Sequence, residues 1–203
     1  MKIVHKQIIT KIGEFSNSKE FELISKEIEE AVKKITWPKG SKSFLLNPNS
    51  KGKGRGQGNG VKPIKEACMS YLKSLGWQDE LRLREKGVVG TGPLDIVKKT
   101  QFGLFALEWE TGNISSTHRA LNKICLGILQ KDLIGGVLML PSKELYPYLT
   151  DRIGNYREII PYLPMWESLP YKDGVVFIFV VEQNGLDEHA PRIPKGTDGR
   201  ALL

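Results

Sequence analysis

An α/β fold is what this sequence predicts, on three observations. Two nearly all-apolar runs, Gly135 to Leu140 and Val175 to Val181, read as strands covered on both faces. Apolar residues recur at helical spacing in three other stretches. A strand-turn-strand pattern surrounds Gly103. Strands and helices thus alternate along the chain, and its 203 residues suit one domain, 1–203, with a sizeable core.

After an opening stretch, Asn17 and Glu20 fit a capping box for a helix to about Ile35. Its core face carries Phe21, Ile24, Ile28, Val32 and Ile35, and its solvated face Glu27, Glu29 and Glu30. Trp37-Pro38 ends it, because the residue before proline is pushed out of helical geometry. Ser43 to Leu46 fits a brief strand. Residues 47–60 are glycine-rich and basic, with nothing to anchor a core, and predict a flexible loop. They match neither the Walker pattern nor GxGxxG; Lys51, Lys53 and Arg55 are candidates for nonspecific phosphate contacts. Pro63 suits a first helical residue, and Ile64, Ala67, Cys68, Tyr71, Leu72 and Leu75 repeat at helical spacing up to Gly76.

The stretch from Pro93 to Arg119 carries the chemistry. Asp95 closes a short apolar run, Ile96 and Val97 suit a pleated surface, and Gly103 supplies a turn before Leu104 to Leu107. Side chains two apart on a strand share a face, so Glu108 and Glu110 project together while Trp109 turns away. If the hairpin brings Asp95 alongside, three acids converge, and such a cluster is costly unless protons or cations neutralise it. A hard divalent cation is the natural guest. The alternative is an amphipathic edge strand with solvated glutamates.

Within nine residues of Glu110 come a glycine, an asparagine, two serines, a histidine and an arginine, the vocabulary of a helix start that can meet phosphates and base edges. Ser115 or Ser116 caps a helix whose Leu121, Ile124, Cys125, Ile128 and Leu129 face inward. Arg119, Asn122 and Lys123 sit on other faces, and His118 reads as a helix-face contact. Ser142 to Asp151 suggests a short helix interrupted or bounded by Pro147, followed by Arg152. The tail, 184–203, lacks periodicity and predicts an arm.

A net charge of +7 and a pI near 9.3 suit a polyanionic partner, although many basic proteins share that balance. Cys68 and Cys125 lie among apolar residues without zinc spacing and read as buried thiols. No apolar run is long enough to span a bilayer, and the start lacks the apolar core of a signal peptide. The expectation is a cytoplasmic protein without membrane contact.

Asp95 with Glu108-Trp109-Glu110 resembles the metal-binding core of the PD-(D/E)XK nucleases, with Glu110 where most members carry lysine. That variant, followed by Thr-Gly-Asn-Ile-Ser-Ser-Thr-His-Arg, resembles the BamHI-type restriction endonucleases. Trp37-Pro38, Val61 to Glu66, Tyr148 to Arg152 and Ile193 to Gly199 match as well, so the resemblance covers nearly the whole chain. It implies a central mixed sheet flanked by helices, in a restriction-endonuclease-like core. It also implies a type II restriction endonuclease with two Mg²⁺ per active site. Its substrate would be double-stranded DNA with the palindrome GGATCC, cut between the guanines by a homodimer to leave four-base 5′ overhangs.

Asp95, Glu108 and Glu80 would be the metal ligands, with Asp95 bridging, and Glu110 would orient the attacking water or act as its general base. Asn113, Ser115, Arg119, Asp151, Arg152 and Asp198 would lie near base edges. The chemistry agrees, since arginine grips guanine, asparagine suits adenine and aspartate accepts from cytosine. Lys65 and Lys123 are candidate phosphate or groove contacts. Two rivals remain from the residues alone: a non-catalytic, repressor-like DNA-binding protein, and a repair nuclease or junction resolvase with a similar acidic hairpin. The first leaves the acids unexplained, because carboxylates near DNA repel phosphate.

Overall fold

The computed structural model describes residues 1–52, 57–79, 92–110, 112–150 and 153–195. Along the chain come β1 (Lys2–Ile12), α1 (Lys19–Lys33), β2 (Leu45–Leu46), α2 (Lys62–Ser74), β3 (Gln78–Asp79), β4 (Ile96–Thr100) and β5 (Gly103–Trp109). Then follow α3 (Ile114–Leu129), β6 (Gly135–Pro141), α4 (Tyr156–Ile159), α5 (Leu163–Glu167), β7 (Gly174–Glu182) and β8 (Gly185–Leu186). The main sheet has the order β1-β7-β6-β5-β4-β3. Its centre, β5-β6-β7, is parallel, and β1, β4 and β3 join antiparallel, so the sheet is mixed.

Period-two alternation splits the side chains of the central strands between two cores. Phe105, Leu107, Trp109, Val137, Met139, Phe177 and Phe179 pack with Ile24 and Ile28 of α1 and Cys68 and Leu72 of α2. Ala106, Leu138, Leu140, Ile178 and Val180 pack with Leu121, Ile124 and Cys125 of α3 and with Trp166 of α5. The two apolar runs are buried on both faces for this reason. A Cβ on Gly136 would stand 2.7 Å from Ile124 Cγ2, so the bare backbone there lets α3 lie close to the sheet. The β4–β5 hairpin turns through Gly103, with φ +137°, and Thr100 Oγ1 accepts hydrogen bonds from the Phe102 and Gly103 amides.

Several local expectations are corrected. The opening stretch is an 11-residue edge strand; two register shifts interrupt its two-residue period, and Val4, Ile8 and Ile12 lie partly exposed. Ser18, not Asn17, caps α1, its hydroxyl accepting from the Phe21 amide at 3.1 Å. Glu27 is not on a solvated face: it accepts from Trp77 Nε1 at 2.6 Å and Lys98 Nζ at 3.2 Å. Leu75 and Leu129, at the last turns of their helices, are partly exposed.

The glycine-rich loop and the tail hold each other. Asn59 is buried, and its side chain donates to Ser50 Oγ and the Tyr148 carbonyl while accepting from the Ile193 amide. Trp37 Nε1 donates to the Pro191 carbonyl, and β8 pairs with β2. Such anchors are single polar side chains bonded to distant backbone, which leave no hydrophobic period to read. Among the described residues no helix is long and apolar enough to cross a membrane.

Candidate active site

Strands β5 and β6 run parallel and end at the same edge of the sheet, where ligand sites of open α/β sheets characteristically lie. The Glu110 amide extends the pairing by donating to the Met139 carbonyl. Glu108 points to the same side as Ala106, toward α3, and Trp109 points into the core below α1 and α2. The hairpin register pairs Ile96 with Leu107, which sets Asp95 beside Glu108. Asp95 Oδ2 accepts from the Trp109 amide at 2.9 Å, and this bond fixes the carboxylate against β5.

A cleft of about 350 Å³ opens here, lined by Asp95, Glu108, Glu110, Lys65, Ser116, Arg119 and Lys123 among others. A larger cavity, about 670 Å³, lies between β1 and α1, but these acids are absent from its walls, so the chemistry points to the smaller cleft. Glu108 is buried, and this desolvation, with the nearby Asp95 charge, pushes its carboxyl up to about 7 against the opposing pull of Lys123 and Lys65. Glu110 accepts from the Gly112 amide through Oε1. A Cβ at Gly112 would stand 2.7 Å from Ser116 Oγ and 2.9 Å from that oxygen, so the absence of a side chain makes this approach possible.

Two lysines hold the acids. Lys65 Nζ of α2 lies 2.6 Å from Asp95 Oδ1, and Lys123 Nζ of α3 lies 2.7 Å from Glu108 Oε1 and donates to the Pro93 carbonyl at 2.6 Å. The Lys123–Glu108 contact brings charges together without hydrogen-bond angles, and Oε1 is buried with no hydrogen-bond partner. These two lysines, expected at DNA phosphates or the groove, are the acids' ion-pair partners in the structure. Helical spacing contained a signal: Ser116, Arg119 and Lys123 are three and four apart and line one face of α3.

The start of α3 differs from the expected cap. Asn113 Oδ1 accepts from the Ser116 amide, so Asn113 caps the helix and Ser115 is an exposed first-turn residue. Arg119 is exposed at the cleft, one turn before Lys123. The other flank of α3 is structural: His118 packs edge-on against Tyr162 and beside Trp166, whose indole donates to Asn122. Gly154 donates from its amide to the Gly112 carbonyl, tying the helix entrance to the segment before α4. Glu80, Asp151, Arg152 and Asp198, like Lys53 and Arg55, lie outside the described residues.

The convergence of acids is therefore tighter for Asp95 and Glu108 than for a complete triad. Among the described residues, no group of three His, Cys, Asp or Glu side chains forms a metal-ligand set. A hard cation nevertheless fits the pair: both carboxylates offer oxygen, and in the structure each already meets a positive group, Lys65 or Lys123, where the cation's charge would stand.

A mixed sheet flanked by helices, with an acidic hairpin at the strand ends and a polar helix start beside it, defines a restriction-endonuclease-like protein. The solved structure of the restriction endonuclease BglII with a DNA 16-mer shares this fold, with a TM-score of 0.65 over 95% of this chain and 88% of that one at 11% identity. The family model "Restriction endonuclease BamHI" matches residues 1–200. The chain is 49% identical over 180 residues to the type II restriction enzyme OkrAI of Oceanobacter kriegii, covering 89% of this chain and 90% of that enzyme. It is 34% identical over 207 residues to the type II restriction enzyme BamHI of Bacillus amyloliquefaciens, covering 92% and 90%. The chain belongs to the BamHI family of restriction endonucleases, and is a type II site-specific deoxyribonuclease.

Proposed function

We propose that this enzyme cuts double-stranded DNA at the palindrome GGATCC, between the two guanines, and leaves four-base 5′ overhangs. It acts in the cytoplasm as a homodimer with one acidic cluster per strand, using Mg²⁺, two ions per site. The observation that carries the reading is the shared cleft: Asp95, Glu108 and Glu110 line the same cavity as Ser116 and Arg119, at the start of α3. Carboxylates for hydrolysis and side chains for base reading thus lie on one surface. A symmetric dimer then matches a symmetric site.

Asp95 and Glu108 hold the cations, with Glu80 contributing a further oxygen. When bound, divalent cations neutralise charge at the phosphorus, lower the pKa of water and assist the leaving oxygen. The remaining work belongs to the chain's own groups. The Trp109 amide keeps Asp95 turned toward the cleft, and the Gly112 amide keeps Glu110 oriented. Glu110 then orients the attacking water and accepts its proton at a carboxylate oxygen, which a lysine in its place could not do. Arg119 reads guanine O6 and N7, Asn113 and Ser115 contact base edges beside it, and the resemblance gives Asp151, Arg152 and Asp198 a part in base reading as well.

The test is incubation of purified protein with a plasmid carrying a single GGATCC, with Mg²⁺ and with chelator, followed by sequencing of the ends. Cleavage at that site only with Mg²⁺, after the first guanine on each strand, is expected. Ends at another sequence would discard the assigned specificity, and metal-independent cutting would discard the cation's role.

A further inference from the structure

Each carboxylate assigned to the cation faces an ammonium. Lys65 Nζ stands 2.6 Å from Asp95 Oδ1 and Lys123 Nζ stands 2.7 Å from Glu108 Oε1. The two lysines arrive from helices on opposite faces of the sheet. Two ammoniums on two carboxylates supply the same charge as one divalent cation. A cation approaching Asp95 and Glu108 therefore meets two positive groups at contact distance, inside a partly buried cleft where screening is weak. A DNA phosphate entering the same cleft offers these lysines a better-exposed anion. Lysine, a point charge on a flexible stem, can change partners without moving its helix. Lys123 also lies one turn after Arg119 on α3, so contact with base edges and release of Glu108 share one rigid element.

We propose that Lys65 and Lys123 form a counterion lock: in the free protein they occupy Asp95 and Glu108 and oppose cation binding, and on DNA binding they transfer to phosphate. Cation binding is thereby conditional on substrate, and by linkage the cation strengthens DNA binding to the same degree. The proposal rests on Asp95 and Glu108 being the cation ligands.

The experiment is calorimetric titration with Ca²⁺ of the parent, Lys65→Gln, Lys123→Met and the double variant, each with and without a GGATCC duplex. Without DNA, each single variant should bind Ca²⁺ roughly tenfold more tightly than the parent, and the tightening produced by DNA should shrink most in the double variant. Unchanged, weaker or undetectable Ca²⁺ binding by the lysine variants overturns the lock. Lys123 is buried and its replacement is checked by circular dichroism; Lys65 is partly exposed, so Lys65→Gln decides alone if Lys123→Met does not fold. Asp95→Asn separates the two readings. If its DNA complex binds Ca²⁺ as the parent's does, the ligand assignment has failed; if binding is lost there while the lysine variants show no tightening, only the lock has failed.

Discussion

Replacing Glu108 by glutamine removes an acid whose ionisation the fold strongly opposes, and the consequence is visible in how stability depends on pH. Burial lifts this carboxyl from 4.5 to about 7 in the free protein. Below pH 4.5 both folded and unfolded chains carry the proton. Between 4.5 and 7 the folded chain keeps it and the unfolded chain loses it, so stability falls as pH rises. Above 7 both are ionised, and the full penalty, about 3 kcal/mol, is in place. For a domain of this size that is a loss of roughly 10 °C in Tm.

Glu108→Gln cannot ionise, so its profile should lack this descent. At pH 5 the parent's Glu108 carries its proton, so Lys123 has no charged partner in either protein; at pH 8 the pull of Lys123 on the ionised carboxylate is already contained in the value of about 7. The assay is thermal and urea unfolding of both proteins with chelator at pH 5 and pH 8. The difference between them should shift by about 3 kcal/mol in favour of the variant over that interval. Saturating Mg²⁺ should flatten the parent's profile, because a cation at Glu108 favours the ionised form. Parallel profiles with chelator would refute the account of Glu108 as a buried, strained charge.

Glu27→Ala strips a charged acceptor from both Trp77 Nε1 and Lys98 Nζ; urea unfolding should show a loss of about 2–3 kcal/mol. Gly112→Ala places a methyl against Ser116 and Glu110 Oε1, and single-turnover cleavage should slow about a hundredfold with duplex affinity nearly kept. Glu110→Lys should reduce cleavage by on the order of 10²–10⁴-fold at all pH values, with a folded protein that still binds DNA. Arg119→Ala should weaken binding to a GGATCC duplex by about 1–3 kcal/mol while leaving a scrambled duplex nearly unaffected, as gel-shift titrations at fixed salt would show.

The fold class followed from local pattern because burial imposes periods on the chain. The doubly buried runs that became β6 and β7, the helical repeats of α1, α2 and α3, and the hairpin turn at Gly103 each carry their own geometry. Glu108 and Glu110 line one cleft by the same rule, and the hairpin register sets Asp95 beside Glu108, although among the described residues the three do not close into one ligand set. Where the period was broken, reading failed. The register shifts of β1 hid an edge strand, and the Asn59 anchor hid the contact between the glycine-rich loop and the tail.

At the site, residue types alone could name acids suited to a cation, and the resemblance could assign their roles. Neither could say what neutralises those acids when no DNA is present. That answer depends on side chains 30 residues before Asp95 and 15 residues after Glu108 in the chain, Lys65 and Lys123, brought to the cleft from two faces of the sheet. Short-range periodicity fixes which way a side chain points along its own element. Which distant ammonium it meets, how far water is excluded and how strongly its proton is held are properties of packed elements, and they exist only once the sheet and its helices are assembled.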